Sequence, residues 1–322
     1  MPTRLRIVGG MIVALGLTLA LAAAACGSAK PGRPLALPAA RSLAASSTSH
    51  VVVVVMENRE YTDVIGNGTA PYINRLARSS AVAGNYFAVS HPSLPNYLAL
   101  TGGQTFGITS DCTDCVAHGT SLGDQLAAAG LSWGIYIEDL PGPCSQTAFA
   151  GGYAKKHDPF MYFPSIANDP SRCSHVVPLT QLPHDLAAGK LPDFVWITPN
   201  LCDDGHDCPL SSADRFLAHT LPALLSQLGP RGFLALTWDE GSSNRGCCHL
   251  AQGGRVATIL TGPQVRRGVR KGGPFDHYSL LRTIEDAFGL SHLANAGCAC
   301  TKPLSSLFKT APRRIVAARN HT

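Results

Sequence analysis

The stretch HVVVVVMEN (residues 50–58) sets five consecutive valines and a methionine before a glutamate and an asparagine. An unbroken β-branched run, without the polar alternation of a half-exposed strand, predicts a core strand covered on both faces. Further apolar strand candidates lie at 132–137, 194–197, 233–238 and 256–260, with helical patterns at 71–80, 121–129, 213–228 and 279–288. Strands alternating with helices predict an α/β fold around a largely parallel sheet. In open sheets of this kind ligands gather outside the carboxyl ends of the strands. The first strand runs into Glu57 and Asn58, and the strand at 233–238 runs into Asp239 and Glu240, so two oxygen-bearing pairs share that kind of place.

Glu57, Asn58, Asp239 and Glu240 offer the oxygen ligands that a hard or borderline divalent cation prefers, and clustered carboxylates without a cation repel one another. Both members of a pair reach one ion only if the strand has ended, because strand neighbours point to opposite faces. The plainer reading of Glu57 and Asp239 is that they cap the following helices or turns. A second feature is SHPSLPNYLALTGG (residues 90–103), which reads as a helix with Ser93 at its N-terminal edge and a glycine stop. A hydroxyl there faces free backbone N–H groups, which also stabilise a phosphoryl group; on this motif alone, Ser93 is better explained as an N-cap. CDDGHDC (residues 202–208) places Asp204 and His206 in a loop, and PFDHYS (274–279) places His277 before a helix. Such groups suit metal ligation, phosphate contact or leaving-group protonation. Lys155, Lys156 and His157 form a cationic cluster able to hold phosphate oxygens.

The chain of 322 residues is 45% hydrophobic and 15% charged, enough for one large core over 50–302. Its formal charge of +5 is scattered, with no basic stripe interleaved with aromatics, which argues against nucleic acid as a partner. Residues 1–26 read as an export signal, with Arg4 and Arg6 before an apolar run too short for a membrane span. Small residues precede Cys26 as at a lipoprotein cleavage site, while Ala23 in place of the usual leucine leaves plain cleavage and free secretion open; membrane association is expected only through a lipid at Cys26. Residues 27–49 have tether composition, and 303–322 form a basic tail carrying Arg313, Arg314 and Arg319. Setting Cys26 aside leaves ten of the eleven cysteines, an even number in an oxidising compartment. Cys112 with Cys115, Cys144 with Cys173 and Cys202 with Cys208 can close local loops, whereas Cys247, Cys248, Cys298 and Cys300 cannot be paired from sequence. The rival for Cys112-x-x-Cys115 is zinc ligation. Nothing in the sequence sets an oligomeric state.

Taken in order, VVVVVMEN, HPSLPNYLALTGG, YAKKHDPF, WITPNLCDDGHDC, LTWDEG and DHYSLLRTIEDAFGL resemble the bacterial and fungal phosphoesterase family of secreted acid phosphatases and phosphocholine-type phospholipases C. The resemblance runs from Val51 to about Leu290. It implies an alkaline-phosphatase-like fold, a three-layer α/β sandwich around a mainly parallel sheet. It implies Glu57, Asn58, Asp239 and Glu240 as metal ligands and Ser93 as nucleophile. Asn96 falls at a polar position beside Ser93 suited to phosphate, and His157, His206 and His277 match histidines of the phosphate pocket. Many phospholipase relatives carry Thr at the place of Ser93 and long extra C-terminal domains. This chain has neither, which points to the compact phosphatase branch, some of whose members act on phosphoinositides.

The expectation is a metal-dependent phosphomonoesterase forming a phosphoseryl intermediate at Ser93, with His206 or His277 protonating the departing alkoxide and Asn96, Lys156, His157 and Asp204 around the phosphate ester. All-oxygen ligation suits Ca, Mg or Mn, and a joining histidine would admit Zn or iron. The alternatives are a phospholipase C-type phosphodiesterase at the same site, a serine esterase, which lacks its G-x-S-x-G setting here, and a non-catalytic ligand-binding surface lipoprotein.

Overall fold

The computed structural model describes residues 30–248 and 250–316; the leader and Cys26 lie outside the described residues. One eight-stranded sheet forms the centre. In chain order its strands are β1 (Val51–Met56), β2 (Ala81–Ala83), β3 (Trp133–Ile137), β4 (Val176–Pro178), β5 (Phe194–Thr198), β6 (Phe233–Trp238), β7 (Thr258–Thr261) and β8 (Val269–Lys271). Their spatial order is β8-β2-β7-β6-β1-β5-β3-β4. The longer helices are α1 (Pro71–Ser79), α2 (Ser93–Gly102), α3 (Leu122–Ala128), α4 (Leu210–Ser226) and α5 (His277–Phe288).

The valine run becomes β1 near the centre of the sheet, and all six of its residues are buried, as are those of β6, so both faces are covered. Helix α1 packs on α4 and α2 packs on α5, giving helical layers about the sheet. Strand β1 pairs in parallel with β5 and β6, and in the second register Met56 lies opposite Trp238. That register decides the site. Glu57 and Asp239 are the next residues of their strands, so the two polar pairs leave the sheet side by side.

The sheet departs from a purely parallel one at β7, which runs antiparallel to both β6 and β2. Strands β2, β4 and β8 have three residues each, too few for a periodic signal, and β4 ends in Pro178 at the sheet edge, where a missing N–H is tolerated. Helix α4 starts at Leu210 and α5 at His277, each earlier than its apolar pattern suggests. The three local cysteine pairs are disulfides, so Cys112 and Cys115 are bonded to each other rather than arranged for zinc; Cys247–Cys248 and Cys298–Cys300 are bonded too.

The described parts of the flanking segments, 30–49 and 303–316, lie on the body. Leu35, Leu37 and Leu43 pack against the core from the stretch with tether composition. Within the stretch read as a basic tail, Leu304, Leu307 and Phe308 are buried.

Candidate functional site

Strand β1 has ended where the site begins, because Asn58 adopts φ 52°, a left-handed conformation that asparagine tolerates. The turn aims the Asn58 backbone N–H at Asp239 Oδ1, 3.0 Å away, and its side-chain amide at Glu57 Oε2, 3.2 Å away. Glu57 is fully buried. Its Oε1 accepts from the Tyr97 hydroxyl at 2.5 Å and its Oε2 from the Ser93 hydroxyl at 3.1 Å.

Ser93 is the first residue of α2, with Pro92 as N-cap, so its hydroxyl does not cap the helix. It reaches Glu57 and also Glu240 Oε1 at 3.4 Å, spanning carboxylates from both strand ends. Glu240 Oε2 pairs with His91 Nδ1, whose other nitrogen lies 3.1 Å from the Ser243 carbonyl. The backbone N–H of Leu94 is already taken by Asp111 Oδ1 at 3.0 Å. Asp111 Oδ2 accepts from Lys156 Nζ at 2.9 Å, so this carboxylate occupies the helix terminus expected for a phosphoryl oxygen.

His157 stacks on Tyr97 with ring centroids 5.3 Å apart. Its Nε2 lies 3.3 Å from Glu57 Oε1 and its Nδ1 3.4 Å from Asp204 Oδ2. Burial, reinforced by Lys156 and His206, holds its pKa well below the usual histidine range, so these are contacts of a neutral ring and not ion pairs. Asp204 is placed by its loop: its N–H donates to the Asn200 carbonyl and its carbonyl accepts from Glu57 N, at 2.8 and 3.0 Å. His206 stands on the rim, partly exposed, with Nδ1 2.6 Å from Asp207 Oδ1 and Nε2 3.4 Å from Lys156 Nζ.

Two residues read as substrate-facing stand behind the site. The Asn96 amide is committed on both sides: Oδ1 accepts from Val89 N and Ser90 N, and Nδ2 donates to the Ser90 and Pro92 carbonyls. It shapes the loop before Ser93 and has no hydrogen bond left for phosphate. His277 is buried, with Nε2 2.6 Å from the Asp239 carbonyl and Nδ1 3.1 Å from the Tyr86 hydroxyl. With both nitrogens engaged and its pKa lowered by burial to about 4, it supports Asp239 instead of serving a leaving group.

The electrostatics are those of clustered, buried acids. Burial, then repulsion from Asp239 and Asp204, pushes the Glu57 carboxyl well up; burial likewise raises Asp204 and Asp239. Burial and the neighbouring Asp239 carry Glu240 to about 7. His157 Nε2, Asp204 Oδ2 and Asp239 Oδ2 are buried without a hydrogen-bond partner. Glu57, His157 and Asp204 also bring one ligand-type atom each to within 4.8 Å of one another. Converging acids with orphaned oxygens and a neutral imidazole fit a divalent metal, and the histidine widens the ligand set beyond oxygen.

The Phosphoesterase family model matches residues 67–291. The chain belongs to the Phosphoesterase family. It is 37% identical over 248 residues to the phosphatidylinositol-3-phosphatase of Mycobacterium tuberculosis, covering 75% of this chain and 77% of that one. It is 31% identical over 240 residues to the phosphate-repressible acid phosphatase of Penicillium chrysogenum, covering 70% of this chain and 56% of the relative, so it spans about half of that longer protein. A Vibrio parahaemolyticus protein of the alkaline phosphatase superfamily shares the fold, with TM-score 0.55, 10% identity, and coverage of 87% of this chain and 74% of that one. This phosphoesterase thus has the alkaline-phosphatase-like fold.

Three residues of the phosphoesterase site escaped the sequence reading. Tyr97 lies four residues after Ser93, on the same helix face, and that spacing was the available signal. His91 is two residues before Ser93 but pairs with Glu240, 149 positions away. Asp111 comes from a loop, and no local pattern marks it.

Proposed function

We propose that this phosphoester hydrolase is an exported, metal-dependent phosphomonoesterase with Ser93 as its nucleophile. The observation that carries the reading is the Ser93 hydroxyl, donor to Glu57 at 3.1 Å and within 3.4 Å of Glu240, where buried acids follow two neighbouring strands that are far apart in sequence. Glu57, Asn58, Asp239 and Glu240 would hold the metal, with His157 and Asp204 close enough to join. When bound, a divalent cation would offset the carboxylate charge and lower the pKa of the serine hydroxyl. Ser93 Oγ attacks phosphorus and passes its proton to the ionised Glu240, whose Oε1 lies 3.4 Å away. The phosphorus–ester oxygen bond breaks, leaving a phosphoseryl enzyme, and the departing alkoxide takes a proton from the rim, where His206 stands. Water then attacks the phosphoserine phosphorus, the bond to Ser93 Oγ breaks and inorganic phosphate leaves; Ser93 Oγ takes back the proton held at Glu240, and the proton lost by the water returns to the rim. Lys156, tied to both Asp111 and His206, supplies positive charge beside the incoming phosphate.

The Mycobacterium tuberculosis relative, named for a phosphatidylinositol phosphate, supports phosphoinositides as substrates. Among the described residues no helix is long and apolar enough to cross a membrane, and the leader and Cys26 support export with or without a lipid. The test is turnover of an aryl phosphate, a phosphoinositide and a phosphocholine diester, in chelator and after return of Ca, Mg, Mn or Zn. We expect monoester hydrolysis that requires metal and falls on the order of a thousandfold or more in Ser93→Ala. Full activity of Ser93→Ala, or in chelator, removes the scheme; preference for the diester points to the phospholipase C alternative.

A further inference from the structure

We infer that residues 30–35 form a strap that positions the site loop carrying Asp204, with Gly32, Asn200 and Asp203 as the positioning residues. The inference rests on the proposed role of Asp204 at the cation site, and it concerns a segment whose composition reads as a tether. Gly32 N donates to Asp203 Oδ2 at 2.9 Å, and the Lys30 carbonyl accepts from Asn200 Nδ2 at 3.4 Å. Further along, the Leu35 carbonyl lies 2.6 Å from His219 Nε2 on α4. The strap roofs a cavity of about 230 Å³ whose floor includes Glu138, Asp203 and α4.

Asn200 is the hub of the loop. Its Oδ1 accepts from Cys202 N and Asp203 N, its Nδ2 also donates to Asp139 Oδ2, and its own N–H donates to Glu138 Oε2. Its carbonyl holds Asp204 N. Two routes therefore run from the strap to Asp204: one through Asn200, the other through Asp203, its chain neighbour. With the strap in place both carboxylates beneath it are nearly buried, Glu138 at 6% exposure and Asp203 at 7%, so unseating the strap removes the Gly32 amide from Asp203 and lets water reach the carboxylates that hold the loop. Gly32 also answers a steric demand. A Cβ there would collide with Glu138 Oε1 and stand 3.2 Å from Asp203 Oδ2, and Glu138 cannot swing freely while Asn200 N holds it.

The test compares hydrogen exchange across residues 199–208 in the full mature protein, wild type against Gly32→Val, Asp203→Ala and Asp203→Asn, with Mn²⁺ affinity measured by calorimetry on the same samples. Val at 32 unseats the strap, Ala at 203 removes its acceptor, and Asn keeps an oxygen for the Gly32 amide. Exchange should quicken about tenfold or more in Gly32→Val and Asp203→Ala. Mn²⁺ affinity should fall about tenfold with it, and Asp203→Asn should stay near wild type. Unchanged exchange over 199–208 in Gly32→Val while residues 31–37 open would overturn the inference. So would an Asp203→Asn protein as perturbed as Asp203→Ala, or faster exchange with unaltered Mn²⁺ affinity. Failure of wild-type protein to bind Mn²⁺ counts against the proposed metal dependence; the exchange comparison involves neither metal nor substrate and decides whether the strap holds the loop, while the Mn²⁺ titration decides whether that hold reaches Asp204.

Discussion

At the scale of single residues, the site's chemistry turns on what favours the ionised form of Glu57 inside the protein. Burial and two neighbouring acids favour its protonated form, whereas the Tyr97 hydroxyl donates to Oε1 and favours the carboxylate. Tyr97→Phe keeps the ring stacked on His157 and removes only that donor. The Glu57 pKa should then rise further, so the acid limb of the kcat/KM profile should move to higher pH. Cation affinity should drop about 10- to 100-fold, as for other outer partners of metal ligands. A pH–rate profile superimposable on wild type would show that the hydroxyl does not govern Glu57. Histidines divide by the same logic. His206 stands at the rim with partial exposure, whereas His277 is enclosed and engaged on both nitrogens. Sequence spacing marks both, but only packing tells a reagent from a support.

At the scale of elements, the strand ends were readable because a five-valine run needs cover on both faces, and covered parallel strands deliver the residues after them to one edge. Glu57 and Asp239 could be placed together before their register was known. Ser93 was legible as a helix start. Asp111, His91 and the strap at 30–35 were not, since each acts through a loop contact with a distant partner and leaves no periodicity. Helix α5 shows how an element serves the site. Its N-cap Asp276 forms a capping box with Ser279, and the next residue is His277, which holds the Asp239 carbonyl. Asp276→Ala should cost about 1 kcal/mol of stability, typical for loss of an N-cap, or about 2–4 °C in Tm for a domain of this size. It should also lower kcat by loosening the support of Asp239, while Asp276→Asn, which still caps, should restore both. A lowered Tm with unchanged kcat would separate the cap from the site.

At the scale of the whole molecule, buried acids away from the cation site shape the pH dependence of folding. Burial raises Glu138 and Glu285 to about 8 and Asp158 to about 7. Glu285 is the simplest case: it faces inward from α5, Oε1 accepts from Leu293 N at 2.7 Å, and Oε2 has no partner. Because its folded pKa lies above the unfolded value near 4.5, the native state binds the extra proton between those values. Its contribution to stability is fully present below about 4.5 and is lost as pH rises through about 8. Buried neutral histidines act in the opposite sense: His277, lowered by burial to about 4, removes stability as pH falls below 6.5. The wild-type protein should therefore be most stable at mildly acid pH, and no single melt can assign the alkaline slope. Glu285→Gln keeps the oxygen for Leu293 N and removes the charge. Melts in chelator from pH 5 to 9 should show little change at pH 5, a higher Tm than wild type at pH 8.5, and a shallower alkaline slope. A variant curve parallel to wild type throughout would mean that Glu285 does not carry its proton into the neutral range, and the slope would then belong to Glu138, Asp158 and the acids around Ser93.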